Sequence, residues 1–178
     1  MPLPKEITDD KSLTQIKRQR IIKIQPWRFL GECEVCVWVD ANLLILDDMN
    51  KFIEKVGKET CFATITHPQR TDIYQESKAI LKYKKDTMKN MQPQLDLYKS
   101  EGYPEKSGLH ETNVIVRRYN EDVQKVLDLW EEMLRKYSHR DQMSFDYVLW
   151  KLGMKIKDIS PNERALFFKY FAHQRAKR

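Results

Sequence analysis

The stretch "CVWVDANLLIL" runs from Cys36 to Leu46, almost wholly apolar, yet it carries Asp40 and Asn42 near its middle. A buried carboxylate is costly unless hydrogen bonds or a cation compensate it. The segment therefore reads as a strand that ends at Asp40. Its side chain is then either handed to a site or tied to its own backbone in an Asx-turn. Asp and Asn two apart in an extended segment point the same way, and the small Ala41 between them permits close approach. Two oxygen-bearing groups leaving a strand end make half a coordination shell for a hard divalent ion, with water and phosphate oxygens as the other half. Spacing alone leaves both readings open.

Outward from this strand, "QRIIKIQ" (Gln19–Gln25) clusters β-branched residues and predicts an earlier strand. "EVCVWVD" is apolar on both faces, as expected at the centre of a sheet covered by helices. Asp47 or Asp48 caps a short amphipathic helix that stops at Gly57. "TCFATITH" (Thr60–His67) predicts a third strand halted by Pro68. The polar stretch from Ile73 to Lys99 has helical spacing, as two helices broken near Pro93. "LHETNVIVRR" (Leu109–Arg118) predicts a fourth strand. A helix follows, with Val123, Val126, Leu127, Trp130, Met133, Leu134 and Tyr137 on one face. Another helix runs from about Arg140 to Leu152, and a last one follows Pro161, a good first-turn residue.

Strands alternating with helices predict an α/β layered fold with a largely parallel sheet. Residues 1–18 are expected to be a partly flexible segment and 19–178 a single domain. In such sheets ligands gather beyond the carboxyl ends of the strands, where Asp40 and His67 both stand.

The formal net charge is +6, so the surface should attract anions. The basic residues form only small clusters, too short for a nucleic-acid tail, and no nucleic-acid partner is expected. No apolar run approaches the ~20 residues of a membrane span, and the first residues lack an apolar signal core. A cytoplasmic location is expected. Three cysteines suit a reducing compartment, and the lone Cys33–Cys36 pair lacks the second pair of a structural zinc site.

Four further places hold polar residues that need a reason. In "THPQRTDIYQE" (Thr66–Glu76), His67 and Arg70 could meet an anion, or form a solvated turn. In "YSHRDQMSF" (Tyr137–Phe145), Ser138 and Asp141 fit a capping pattern. Yet His139, Arg140, Asp141 and Gln142 crowd onto one helix start, more than capping needs. Glu111 and Asn113 precede an apolar strand core, after a Gly108 that permits an unusual turn. His173 lies on the apolar side of a final helix, where packing is the commoner role.

In this order, "VWVDANLLI", "THPQRTDIYQE", "GLHETNVIVRRYN", "HRDQMSF" and a terminal "HQR" resemble a family of GT-A-type glycosyltransferases. That family includes plant cell-wall and mucilage proteins and a glycosyltransferase domain encoded by chlorella viruses. The resemblance covers about Trp27 to Arg175. It implies that Asp40-Ala41-Asn42 stands where the family has its Asp-x-Asp-like element, holding manganese (or magnesium) against the diphosphate of a nucleotide sugar, a UDP-sugar foremost. It implies Asp40, Asn42 and His173 as metal ligands and Arg70 on the diphosphate. Asn113, Arg140 and Gln142 would hold sugar hydroxyls of donor or glycan acceptor. Asp141 would be the base of an inverting transfer, with Glu111 in reserve.

Two departures stand out. Asn42 replaces the second acid of the motif. Only 39 residues precede Asp40, so either the base pocket of the GT-A-like domain is reduced or its opening strand and helix are lacking. The competing reading is a non-catalytic carbohydrate- or nucleic-acid-binding module, which leaves Asp40, Asp141 and His173 unrelated.

Overall fold

A computed structural model describes residues 5–31 and 33–171. The chain opens with α1 (Lys5–Thr8), α2 (Gln15–Ile24) and α3 (Trp27–Leu30), then β1 (Val35–Val39) and β2 (Leu43–Ile45). Helix α4 (Met49–Val56), strand β3 (Phe62–Thr66) and helices α5 (Ile73–Lys82) and α6 (Met88–Ser100) follow. Next come β4 (His110–Arg118), α7 (Glu121–Lys136) and α8 (Gln142–Leu152). The last elements are β5 (Lys157–Ile159), α9 (Pro161–Phe167) and β6 (Phe168–Tyr170).

The segment Gln19–Gln25, expected as a strand, belongs to helix α2. Both ends of that helix are capped. The Thr14 hydroxyl accepts from the Lys17 amide, and the fully buried Arg117 guanidinium donates to the carbonyls of Lys23 (2.7 Å) and Ile24 (3.0 Å). Ile21 and Ile24, three apart and so on one helical face, are wholly buried. Burial of that face and satisfied ends override the strand preference of the β-branched run.

The sheet has four strands in the order β1-β4-β3-β5, with β2 and β6 pairing separately. It is mixed rather than largely parallel. Strand β4 runs antiparallel to both β1 and β3, and only β3 with β5 is parallel. The cause is the connection: two successive helices, α5 and α6, return the chain to the end of the sheet it left, whereas a single crossover helix would reverse this. The break between them falls at Tyr83–Thr87, where Lys84 has φ 53. Pro93, expected to mark it, lies inside α6. Strand β1, expected at the centre, is an edge strand, still covered on both faces.

This mixed order sets the site. The carboxyl ends of β1 and β3 and the amino end of β4 meet at one rim of the sheet. Two apolar layers fix the rest. On one face α2, α5, α6, α7 and α8 pack Ile21, Ile73, Met91, Leu127, Trp130 and Phe145 against Ile115. On the other, α4, α9 and β6 pack Phe52, Val56, Phe167 and Phe168 against Ala63, Val114 and Val116. Ile7 and Leu13 join the first cluster. Pro161 opens α9 within a capping box made by Ser160 and Glu163. No helix among the described residues is long and apolar enough to cross a membrane.

Candidate active site

A local irregularity in β4 delivers the first group of polar side chains. Thr64 on β3 pairs with Ile115, but the next residue, Ile65, pairs with Glu111 rather than the Val114 that regular antiparallel pairing requires. Three extra β4 residues therefore bulge at the rim, and bulges re-aim side chains. The Thr64 hydroxyl lies 2.8 Å from the Glu111 carbonyl and 2.7 Å from that of Val114, closing the bulge. Glu111, Thr112 and Asn113 face the rim cleft as a result.

Asp40 caps β1 at the same rim, its amide donating to the Asn113 carbonyl at 2.8 Å. Its carboxylate is not turned back on its own amides. The Trp38 indole donates to Oδ1 at 2.6 Å, with Lys23 Nζ at 3.6 Å and Arg20 Nη1 at 3.9 Å from the same oxygen. The Asx-turn reading thus gives way to a charged cluster. Asn42 lines the cleft. Ala41 is exposed in the turn that the Leu43 amide closes on the Asp40 carbonyl.

Asp141 stands opposite. It precedes α8 but makes no side-chain cap, so capping does not account for it. Lys23 Nζ lies 2.7 Å from Oδ2 and Arg20 Nε 3.2 Å from Oδ1, and the Thr112 hydroxyl donates to Oδ2 at 2.8 Å. Burial would raise its pKa, but Lys23 and Arg20 outweigh this and hold it well below the usual carboxylate range. The Trp130 indole fixes the backbone by donating to the Asp141 carbonyl at 2.8 Å. Arg140 and Gln142, its neighbours, line the cleft. Gln142 is committed to the His110 carbonyl at 2.8 Å.

Glu111 is gripped on one oxygen only. Its Oε2 accepts from Arg164 Nη1 (3.0 Å), Asn113 Nδ2 (3.1 Å) and the Tyr170 hydroxyl (3.1 Å). Burial, with Glu111 alongside, pushes the Tyr170 phenol up to about 12, so it stays a donor. Arg70, His67 and Glu76 complete the far wall. Arg70 pairs with the buried Glu76. His67 Nδ1 accepts from the amides of Gln69 (3.0 Å) and Arg70 (2.9 Å). Burial, then Arg70, lowers the His67 pKa.

One cleft thus gathers Asp40, Asn42, Arg70, Glu111, Asn113, Arg140, Asp141 and Gln142, together with Arg20, Lys23, Lys85 and Tyr170. His173 lies outside the described residues. A larger cavity of about 660 Å³ at the other end of β1, lined by Trp27, Gly31, Cys33, Glu34 and Tyr119, holds no comparable cluster of charges.

The implied divalent ion fits this cleft poorly. Among the described residues no three His, Cys, Asp or Glu side chains converge on a common point. The two facing carboxylates, Asp40 and Asp141, are already matched in charge by Lys23 and Arg20. A dication needs unspent negative charge and several oxygens within about 2.0–2.6 Å, and the described residues do not supply them here.

A family model for the TOD1/MUCI70 glycosyltransferase-like domain matches residues 9–173 of the chain. The chain belongs to that family. A relative from Arabidopsis thaliana, the probable hexosyltransferase MUCI70, is 26% identical over 146 residues, covering 76% of the chain. The chain spans about a quarter of that relative's length. No solved structure matches the chain significantly.

For a TOD1/MUCI70 domain, four of the five motifs that carried the resemblance converge on the cleft: the aspartate strand, the His67–Glu76 turn, the Glu111–Asn113 bulge and the Arg140–Gln142 helix start; the fifth, "HQR", lies outside the described residues. Arg20 and Lys23 escaped the sequence reading, because a strand at Gln19–Gln25 would have pointed them to opposite faces. On a helix, residues three apart share a face. Thr14 before a basic, apolar-spaced run was the available signal of a helix start. Tyr170 and Arg164 gave no signal at all, since both reach Glu111 only through tertiary packing.

Proposed function

We propose that this domain moves a sugar from a nucleoside-diphosphate donor, a UDP-sugar, to a hydroxyl of a carbohydrate acceptor, on a GT-A-type site and with inversion. The observation that carries this reading is the single rim cleft of a glycosyltransferase-like family member, where five cations (Arg20, Lys23, Arg70, Lys85, Arg140) face four carboxylates (Asp40, Glu76, Glu111, Asp141). The cations suit a diphosphate. A carboxylate with an unshared oxygen suits an acceptor proton.

In the proposed step the acceptor oxygen attacks the anomeric carbon. The bond from that carbon to the β-phosphate oxygen breaks, and its electron pair leaves with the nucleoside diphosphate. The acceptor proton passes to a carboxylate. Between the two sequence candidates, Glu111 suits the base role better. Three donors hold its Oε2 in place, and Oε1 accepts no hydrogen bond from the described residues. Asp141 is buried, ion-paired and far too acidic to take a proton readily at neutral pH. It instead positions Lys23 and Arg20. Asn113 and Arg140, which line the cleft, would meet sugar hydroxyls.

The test is a panel of UDP-, GDP- and ADP-sugars incubated with the whole chain, reading nucleoside diphosphate release with and without oligosaccharide acceptors. One donor should be turned over, and Glu111→Gln should lower that turnover by about 10²–10⁴-fold. Binding of oligosaccharides with no response to any sugar nucleotide would instead make the domain a carbohydrate-binding module.

A further inference from the structure

We infer that the diphosphate of the donor is received by a resident ammonium–guanidinium pair, Lys23 and Arg20, so that donor binding does not require a divalent metal ion. This rests on the glycosyl-transfer reading above and deepens it by naming the cation that takes the leaving group's charge.

The Lys23 ammonium stands where a cation shared by Asp40 and Asp141 would stand. It is 2.7 Å from Asp141 Oδ2, 3.0 Å from the Thr112 hydroxyl and 3.6 Å from Asp40 Oδ1. An ammonium has three protons. Two are spent on Asp141 and Thr112, while the Asp40 distance is beyond a hydrogen bond, which leaves one donor for an incoming anion. Arg20 is similar. Its Nε is buried beside Asp141, 3.2 Å away, without completing a hydrogen bond.

A second pair extends the same charge along the cleft. Arg140 lines it with a buried Nε that has no hydrogen-bond partner. Lys85 lines it too, and neither meets a carboxylate among the described residues. Arg117 locks the arrangement from behind by holding the carbonyls of Lys23 and Ile24. A diphosphate therefore meets fixed positive charges that need no reorganisation when the electron pair arrives on the β-phosphate oxygen. That is the situation in which preorganised charge stabilises a leaving group most.

The test is calorimetric titration of the whole chain with inorganic pyrophosphate and with UDP, in EDTA and in manganese. Binding in EDTA within about threefold of that in manganese is expected, weakening steeply as salt rises. Lys23→Met with Asp141→Asn, which removes both members of the buried pair and so spares the fold, should weaken pyrophosphate and UDP at least tenfold in EDTA. Binding that appears only with manganese overturns this inference and leaves the glycosyl-transfer reading standing. Unchanged affinity in the folded double variant also overturns it. No binding of UDP, or of any sugar nucleotide, in either condition overturns both.

Discussion

Lys23, on the N-terminal helix α2, and Asp141, at the start of α8, meet at 2.7 Å with both side chains almost fully withdrawn from solvent. The contact ties α2 to the start of α8, where the Arg140-Asp141-Gln142 triplet stands. Removing one member of a buried ion pair strands the other and typically costs about 3–5 kcal/mol. Lys23→Met should therefore destabilise the chain by that order, and Lys23→Met/Asp141→Asn should recover much of the loss in urea unfolding. Strictly additive losses would show that the two groups do not compensate each other.

Arg117 should behave as the anchor of α2. Its side chain is wholly buried, and one nitrogen, Nη1, serves two adjacent carbonyls, those of Lys23 and Ile24. The principal cause acting on its pKa is burial, which lowers it to about 10 with Cys36 opposing, so it remains charged at neutral pH. Lysine lacks the planar fork. Arg117→Lys should cost about 1–3 kcal/mol, the usual penalty for a buried hydrogen-bonding group left unpaired. It should raise amide exchange in α2 ahead of α7. Uniform exchange through both helices would count against this anchoring role.

The aspartate strand, the family motifs and the rim location were legible in the sequence, because they rest on local pattern and strand ends. What was not legible came from longer range. The antiparallel placement of β4 depends on whether one helix or two fills the gap after β3, and Ile73–Lys99 supports two. The bulge at Glu111–Val114 is set by Thr64 across the sheet, a partner no local window contains. Arg20 and Lys23 were hidden by the β-branched isoleucines between and beside them, whose preference is outweighed once Arg117 satisfies the end of α2.

His110 gives a pH signature independent of the cleft chemistry. Its Nδ1 pairs with Asp146, and Nε2 lies 2.9 Å from Asp158 Oδ1. Burial would lower its pKa, but Asp146 and then Asp158 outweigh it and raise the value from 6.5 to about 9. Because the folded value exceeds the unfolded one, the stabilisation is full below about pH 6.5 and is lost as pH rises through about 9. A gap of that size corresponds to roughly 3 kcal/mol. Unfolding free energy should fall by about that order from pH 6.5 to above 9, and His110→Gln should flatten the profile. The same slope in the variant would refute the assignment.

Glu111 and Asp141 should separate cleanly in kinetics once a donor is in hand. Glu111→Gln keeps the shape and the acceptor capacity that Arg164, Asn113 and Tyr170 use, but removes a base. The loss should fall on kcat, by about 10²–10⁴-fold, with the donor KM little changed because no diphosphate contact is touched. Asp141→Asn leaves Lys23 and Arg20 with one carboxylate fewer to orient them. It should lower stability and weaken the donor, with a smaller effect on kcat at saturating donor. Steady-state kinetics at varied donor, paired with urea unfolding of each variant, distinguishes the two. If Asp141→Asn retained full stability and donor affinity while losing turnover, Asp141 and not Glu111 would be the base.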